Sequence, residues 1–305
     1  MTQVAADQRC AVRSELAAEP LAGTAGHVLA GYLLLEEPGS WAHQPFGGRS
    51  LGGLGGQIDT AASQAGVKAL LIRAGGRRDR APSARRIYAA TIGHRRQLVT
   101  FTVTNPADLL SLDLAAYAGD LRGIHPAAVE VTEPLLLVCT HAKRDQCCAI
   151  RGLPIAKALA GQQRVGQVFE CSHLGGHRFA ATALSLPSGA VYGRLTQAAA
   201  ERVHELARDD RVHAADLRGM SHLPQPAQVV DAELRRRLDL PNVDEVRLVE
   251  CAKVASHTHL VRMTAAAQTW SATVRTATTG PKPPSCGKPD AASTEHVIVS
   301  LRAES

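Results

Sequence analysis

Apolar residues along this chain gather in short runs broken by glycines, prolines and charges, and the runs carry two different periods. Between about residues 20 and 125, Val28 to Leu35, Val67 to Ile72, Arg86 to Ile92 and Gln97 to Val103 predict strands. Ile58, Ala61, Ala62 and Ala65 fall at helical spacing, and Gly66 follows them as a stop, so the spacing predicts a helix over 57–65. The glycine-dense stretch Gly47 to Gly56 lacks the Lys-Ser/Thr ending of a phosphate loop and the GxGxxG spacing, and it reads as a flexible connection.

From about 130 to 222 the signals sharpen. Leu135 to Cys139 is a continuous apolar run suited to a buried strand, and Leu153 to Leu159 predicts a short helix with Pro154 in its first turn. Val165 to Glu170 reads as the next strand. Phe179 to Leu186 and Ala190 to Leu195, joined by Pro187-Ser188-Gly189, predict a hairpin, and Thr196 caps a helix from Gln197 towards Arg208. Strand, helix, strand, hairpin, helix is the element order of a thioredoxin-like layer. Pro224 and Pro226 mark a linker, after which a helix over 227–238 precedes strands at Val246 to Val254, His259 to Thr264, Trp270 to Arg275 and His296 to Arg302. Gly280 to Pro289 reads as a loop by composition, and no repeat of solenoid period is present. The fold class is α/β, α+β overall, in three parts: 1–128, 129–223 and 224–305.

With 305 residues and 45% hydrophobic content, the chain can bury a substantial core. The formal net charge of +6 is modest for this length, and ten aromatics are too few for the stacking platforms of a single-strand binder, so nucleic acid is not an expected partner. No run approaches the roughly 20 apolar residues of a membrane span, and Asp7, Arg9, Arg13 and Glu15 interrupt the apolar core that an export signal would need. Seven cysteines, an odd number with Cys147 and Cys148 adjacent, do not make a disulfide framework. They point to a reducing, cytoplasmic setting and to metal or redox chemistry.

The chemistry concentrates in the middle part. Cys139 is followed by Thr-His-Ala-Lys-Arg-Asp-Gln and then Cys147-Cys148, and farther on by His173-Leu-Gly-Gly-His177. Two soft thiolates and two imidazoles on short loops form a four-ligand set of the kind that zinc, or a two-iron cluster of mixed ligation, requires. Gly175 and Gly176 let the backbone fold so that the two imidazoles converge. Spacing alone leaves open which of Cys147 and Cys148 is the ligand, and Cys171 stands close by as a spare thiol.

VCTHAKRDQCCA followed by ECSHLGGHRFAATALSLPSGAVYGRL resembles the sucrase/ferredoxin-like family, densely over about 134–195 and more weakly outside it. The resemblance implies a thioredoxin-like ferredoxin domain holding one [2Fe-2S] cluster through two cysteines and the two histidines of HxGGH, which assigns Cys139, Cys148, His173 and His177. Two imidazoles in place of two thiolates make such a site less negative, and in Rieske centres that exchange raises the potential from about −400 mV to roughly −150 to +300 mV. The function implied is electron transfer or redox sensing with a redox partner such as an acidic reductase, an electron carrier more than a stand-alone enzyme. No carboxylate pair supports glycoside hydrolysis.

The plainer readings differ by residue. The same four ligands would equally make a closed zinc site in a thioredoxin-like binding protein, and Cys147/Cys148 would make a thiol oxidoreductase, although an adjacent pair matches CxxC chemistry poorly. Cys10 and Cys251 read as core packing and Cys286 as a loop thiol. His257 and His259 read as solvated. His141 and Asp145 read as fixing the ligand loop, with Asp145 bonded to Arg144 or to backbone, and Arg178 as orienting the loop or tuning its charge. The run Arg73 to Arg96, eight arginines against Asp79, reads as a solvated face before a docking patch.

Overall fold

The computed structural model describes residues 4–48, 51, 53–74, 83–161 and 168–304. Most of the Gly47 to Gly56 stretch is covered, but residues 75–82 of the arginine run and 165–167 of an expected strand lie outside the described residues.

β1 (Gly31–Glu36) is buried along its first five residues, as a continuous apolar run should be at the centre of a sheet. It pairs in parallel with β2 (Val67–Arg73) and antiparallel with β3 (Arg85–Thr91), which pairs antiparallel with β4 (Leu98–Val103). The β1-to-β2 crossover is α2 (Leu54–Gln64), which buries Ile58 and Ala62. Gly55 is required there: a Cβ on it would lie 1.8 Å from the Phe46 carbonyl oxygen. Gly66, at φ +71°, ends the turn after α2, as the sequence predicts.

The same arrangement recurs downstream. β6 (Leu135–Cys139) pairs in parallel with β7 (Val168–Cys171) and antiparallel with β8 (Ala183–Leu186), which pairs with β9 (Ala190–Tyr192); α3 (Gln146–Gly161) makes the crossover. Each half is therefore a β-α-β-β-β unit with the crossover pair first and the hairpin strands beside it. The halves join edge to edge where β2 meets β7 antiparallel, pairing Ile72 with Cys171 and Arg73 with Glu170. Arg73 also places its guanidinium 2.8 Å from Glu170. With β5 (Val129–Glu130) and β10 (Leu217–Met220) on the outer edges, ten strands among the described residues form one sheet in the order β10-β9-β8-β6-β7-β2-β1-β3-β4-β5.

Strand alternation sorts the middle of this sheet onto two cores. Leu135, Leu137 and Cys139 pack with Leu34, Leu70, Ile72 and Phe169, drawing on both halves. Leu136 and Val138 face the other way, towards α3, α4 (Gln197–Ala207) and α5 (Gln225–Leu238). Thr196 caps α4 by accepting from Ala199 N at 3.1 Å, as expected. Pro224 and Pro226, read as a linker, instead open α5, a position where a missing N–H costs nothing.

α5 lays Val230 and Leu234 against Val261, Met263 and Val274 of a second, four-stranded antiparallel meander: β11 (Val246–Ala255), β12 (Thr258–Ala265), β13 (Gln268–Lys282) and β14 (Ala291–Ala303). The last two strands run well past their expected ends, taking in Gly280 and Pro281 of the stretch read as loop. Pro281 sits where the ladder shifts register between Thr279 and Lys282, so its missing donor breaks no regular pair.

α3 corrects a further expectation. It begins at Gln146, not near Leu153, so Pro154 lies inside the helix and not in its first turn. The start is set by Asp145, whose Oδ1 accepts from Cys147 N at 2.9 Å in the manner of an N-cap. No helix among the described residues is long and apolar enough to cross a membrane.

Candidate metal centre

The HLGGH loop leaves β7 at the edge where β6 ends and α3 begins, so three segments bearing thiol or imidazole donors meet at one end of the second half. Gly152 of α3 packs on the Cys139 carbonyl oxygen, where a Cβ would stand 2.2 Å away. That close approach brings Cys148, one turn earlier, across from Cys139. The Cys139 and Cys148 sulfurs and a ring nitrogen of His173 lie within 4.8 Å of one another. His173 Nδ1 is 4.0 Å from Cys139 Sγ and 3.8 Å from Cys148 Sγ. Both thiols are buried, while His173 and His177 are half-buried towards the surface.

His177 stands beside this group and outside it. Its Nδ1 is 3.4 Å from His173 Nε2, and the two rings stack with centroids 5.2 Å apart. Its Nε2 faces the Pro284 carbonyl oxygen at 2.5 Å and lies 3.8 Å from Asp145 Oδ2. Burial holds the His177 imidazole below its usual range despite the Asp145 carboxylate. The Cys139 thiol is drawn well down, first by its bond with Cys148 and then by His173, while the same bond and burial push Cys148 well up. Together the pair holds one thiolate readily, the state that receives a soft metal.

The adjacent cysteines part company. Cys147 points away from this group, into a second one with Cys10, Asp145 and Cys286. Cys10 is buried, as expected, but in contact with that polar group and not only with apolar neighbours; Cys251 is half-buried on β11. Cys171 is fully buried, and burial raises its thiol well above the usual range, so it stays a neutral core residue.

Arg218 carries no signal in the sequence, yet it holds the loop. Its guanidinium is buried and donates from Nη1 to the Gly175 carbonyl at 2.9 Å, from Nε to Thr24 Oγ1 at 3.0 Å, and from Nη2 to the Thr24 carbonyl. Desolvation lowers it to about 10, and the Cys139 and Cys148 sulfurs work against that loss. A buried cation therefore sits behind a thiolate site. Lys68, half-buried, donates to the Leu174 carbonyl at 3.2 Å. The other loop residues are committed elsewhere. His141 Nε2 meets the Ala42 carbonyl oxygen at 2.8 Å, Asp145 takes backbone N–H groups, and Arg178 pairs with Glu19 at 2.8 Å while covering the Phe179 ring. Of the described arginines of the charged run, Arg73 pairs with Glu170, Arg85 with Glu37 and Arg96 with Asp244, while Arg86 and Arg95 are exposed.

The family model for sucrase/ferredoxin-like proteins matches residues 57–219, a little over half of the chain. The chain belongs to the sucrase/ferredoxin-like family. The matched span takes in Cys139, Cys148, His173 and His177 and crosses from the first half of the large sheet into the second. Cys10 and Cys286 lie outside it. No curated protein and no solved structure matched this sucrase/ferredoxin-like chain.

Proposed function

We propose that this chain is a [2Fe-2S] protein of electron transfer or redox sensing, its cluster held by Cys139, Cys148, His173 and His177 in a thioredoxin-like unit. The observation that carries the reading is the division of the donor set. Two thiols lie deep, and two imidazoles lie on the solvent side with His173 Nε2 and His177 Nδ1 3.4 Å apart. That is about the edge of a tetrahedron whose metal–nitrogen bonds are roughly 2.0–2.1 Å. A pair of sulfurs and a separate pair of nitrogens suit two irons of mixed ligation better than one ion. The β-α-β-β-β order of the second half supports the thioredoxin-like reading.

When bound, the cluster would supply one-electron chemistry. The chain's own residues supply the setting. Gly175 and Gly176, both at positive φ, turn the loop; Arg218 pins it and offsets thiolate charge; the half-buried imidazoles leave a short path to a docked partner. A zinc site is the second reading, favoured by the three donors lying within 4.8 Å of one another, and it would use the other nitrogen of His173, Nδ1.

Anaerobic purification with visible absorption and iron, sulfide and zinc analysis decides between them. The proposal expects a coloured wild type with two irons and two sulfides, unchanged in Cys147→Ser, lost in Cys148→Ser and spectrally shifted in His173→Cys. A colourless protein whose zinc is lost on substituting the same residues would overturn it.

A further inference from the structure

Three thiols that the cluster reading leaves unused meet on the other side of the α3 N-terminus. Cys10 comes from α1 (Cys10–Leu16), Cys147 from α3, and Cys286 from the loop between β13 and β14. Their sulfurs form a triangle: 3.7 Å from Cys10 to Cys147, 3.4 Å from Cys147 to Cys286, and 3.6 Å from Cys286 to Cys10. The Asp145 carboxylate closes the figure, with its oxygens 3.6 and 3.7 Å from Cys10 Sγ. We infer that Cys10, Cys147, Cys286 and Asp145 form a second metal site, a closed four-donor site for one zinc ion.

The distances match that chemistry. Zinc–sulfur bonds of about 2.3 Å at tetrahedral angles put sulfurs about 3.8 Å apart, and a zinc–oxygen bond of about 2.0 Å puts oxygen about 3.5 Å from sulfur. A polynuclear cluster would spread its cysteines wider. A disulfide would use two of the three sulfurs and leave the third beside it, and all three are free. Besides its three hydrogen-bond donors, the buried Asp145 carboxylate faces three thiols, whose thiolate forms would repel it unless a cation lay between them.

The surroundings hold the donors in place. Cys10 N donates to Cys286 Sγ at 3.4 Å, and Cys147 stands in the first turn of the 16-residue α3, at the positive end of its dipole. Asp145 is aimed by three donors, Cys147 N at 2.9 Å, Cys286 N at 2.8 Å and Ser285 Oγ at 2.7 Å. Such bonds to a ligating carboxylate fix its orientation. On binding, zinc displaces the thiol protons to solvent, and no electron is exchanged. The ion would tie together segments 137 and 139 residues apart in sequence, where the local hydrophobic cluster is only Cys10, Ala11, Cys147 and Ala180. Cys10 and Cys286 fall outside the span matched by the family model, while Cys147 and Asp145 lie within it.

The test uses the full-length chain, with zinc and iron measured separately so that the two sites are told apart. Wild type is expected to carry one zinc beyond whatever occupies the Cys139/Cys148 site. Cys10→Ser and Cys286→Ser should each lose that zinc, while Cys148→Ser, His173→Ala and Cys251→Ser keep it. Cobalt(II) added to the metal-free wild type should give sulfur-to-metal charge transfer and the visible bands of a tetrahedral thiolate site. Should a variant fail to fold, alkylation of wild type with and without zinc, read by peptide mapping, replaces it: zinc should protect Cys10, Cys147 and Cys286 and leave Cys251 reactive. Retention of zinc in both Cys10→Ser and Cys286→Ser, equal labelling with and without zinc, or a Cys147–Cys286 disulfide in a chain that binds no cobalt once reduced would each overturn the inference. Loss of iron alone would count against the cluster reading and leave this one standing.

Discussion

At the scale of residues, the two glycines of HLGGH do different work. Both have positive φ, but a Cβ on Gly175 meets nothing within 4 Å, whereas one on Gly176 would lie 2.2 Å from the Arg218 guanidinium. Arg218 is buried and fixed by three hydrogen bonds, so it has little room to yield. Gly175→Ala is therefore expected to cost about 1–2 kcal/mol, the ordinary penalty of a left-handed alanine. Gly176→Ala should cost clearly more, because it also displaces a buried charge from its partners. Denaturant unfolding of the two variants checks this, and equal losses would mean that Arg218 does not brace the loop. The motif itself was legible because its cysteines and histidines are close in sequence. Arg218 was not, since an isolated arginine looks the same in sequence whether it is solvated or buried.

At the scale of elements, α3 carries one cysteine of each candidate metal group, and its start decides their geometry. Its apolar pattern suggested a short helix from Leu153, because the polar and cysteine-rich first turns add nothing to a hydrophobic period. The Asp145 cap and the Gly152 contact with β6 extend it back to Gln146. Pro154 consequently interrupts the helix on an exposed face. Pro154→Ala is expected to stabilise the chain by about 1 kcal/mol or more, part of the roughly 3 kcal/mol that separates the two residues in a helix interior. Thr196→Ala, which removes the cap of α4, should destabilise by about 1 kcal/mol. Urea titrations of both variants against wild type read these opposite signs directly, and a destabilising Pro154→Ala would show that the proline is needed for packing.

At the scale of the whole molecule, the termini close over the site. Arg13 pairs with Asp290 through two bonds of 2.9 and 2.8 Å, and Glu19 pairs with both Arg178 and Lys282, so α1 is bound to the loop that delivers Cys286. On the opposite flank, His222 lies between the first half of the sheet, at Gly93 and His94, and α5. Burial, reinforced by His94, Arg235, Arg96 and His27, holds its imidazole down to about 4. An unfolded histidine titrates near 6.5. Between those values the unfolded chain binds a proton that the native chain does not, so stability falls as pH drops through that window, by roughly 3 kcal/mol at most. His222→Gln should flatten that part of the profile. Comparing unfolding free energies of the variant and wild type at about pH 7 and about pH 4.5 isolates the contribution, because acid effects at the cysteine and histidine groups are common to both. Parallel profiles would remove His222 from the account.

The sequence by itself determined what depends on neighbours along the chain: most of the strands and helices, the alternation of Leu135 to Cys139 between two faces, the cap at Thr196, and the Cys-x8-Cys and HLGGH pairings. Tertiary structure alone decided what depends on closure over long distances. Two β-α-β-β-β halves with no visible sequence repeat join through β2 and β7 into one sheet, because edge strands pair through backbone groups that side-chain patterns do not record. Cys147 and Cys148 are adjacent in sequence but separated by about 100° around a helix, so they serve different groups. Cys10 and Cys286 are 276 residues apart and touch, because the packing of both termini against α3 leaves their thiols one shared place to lie.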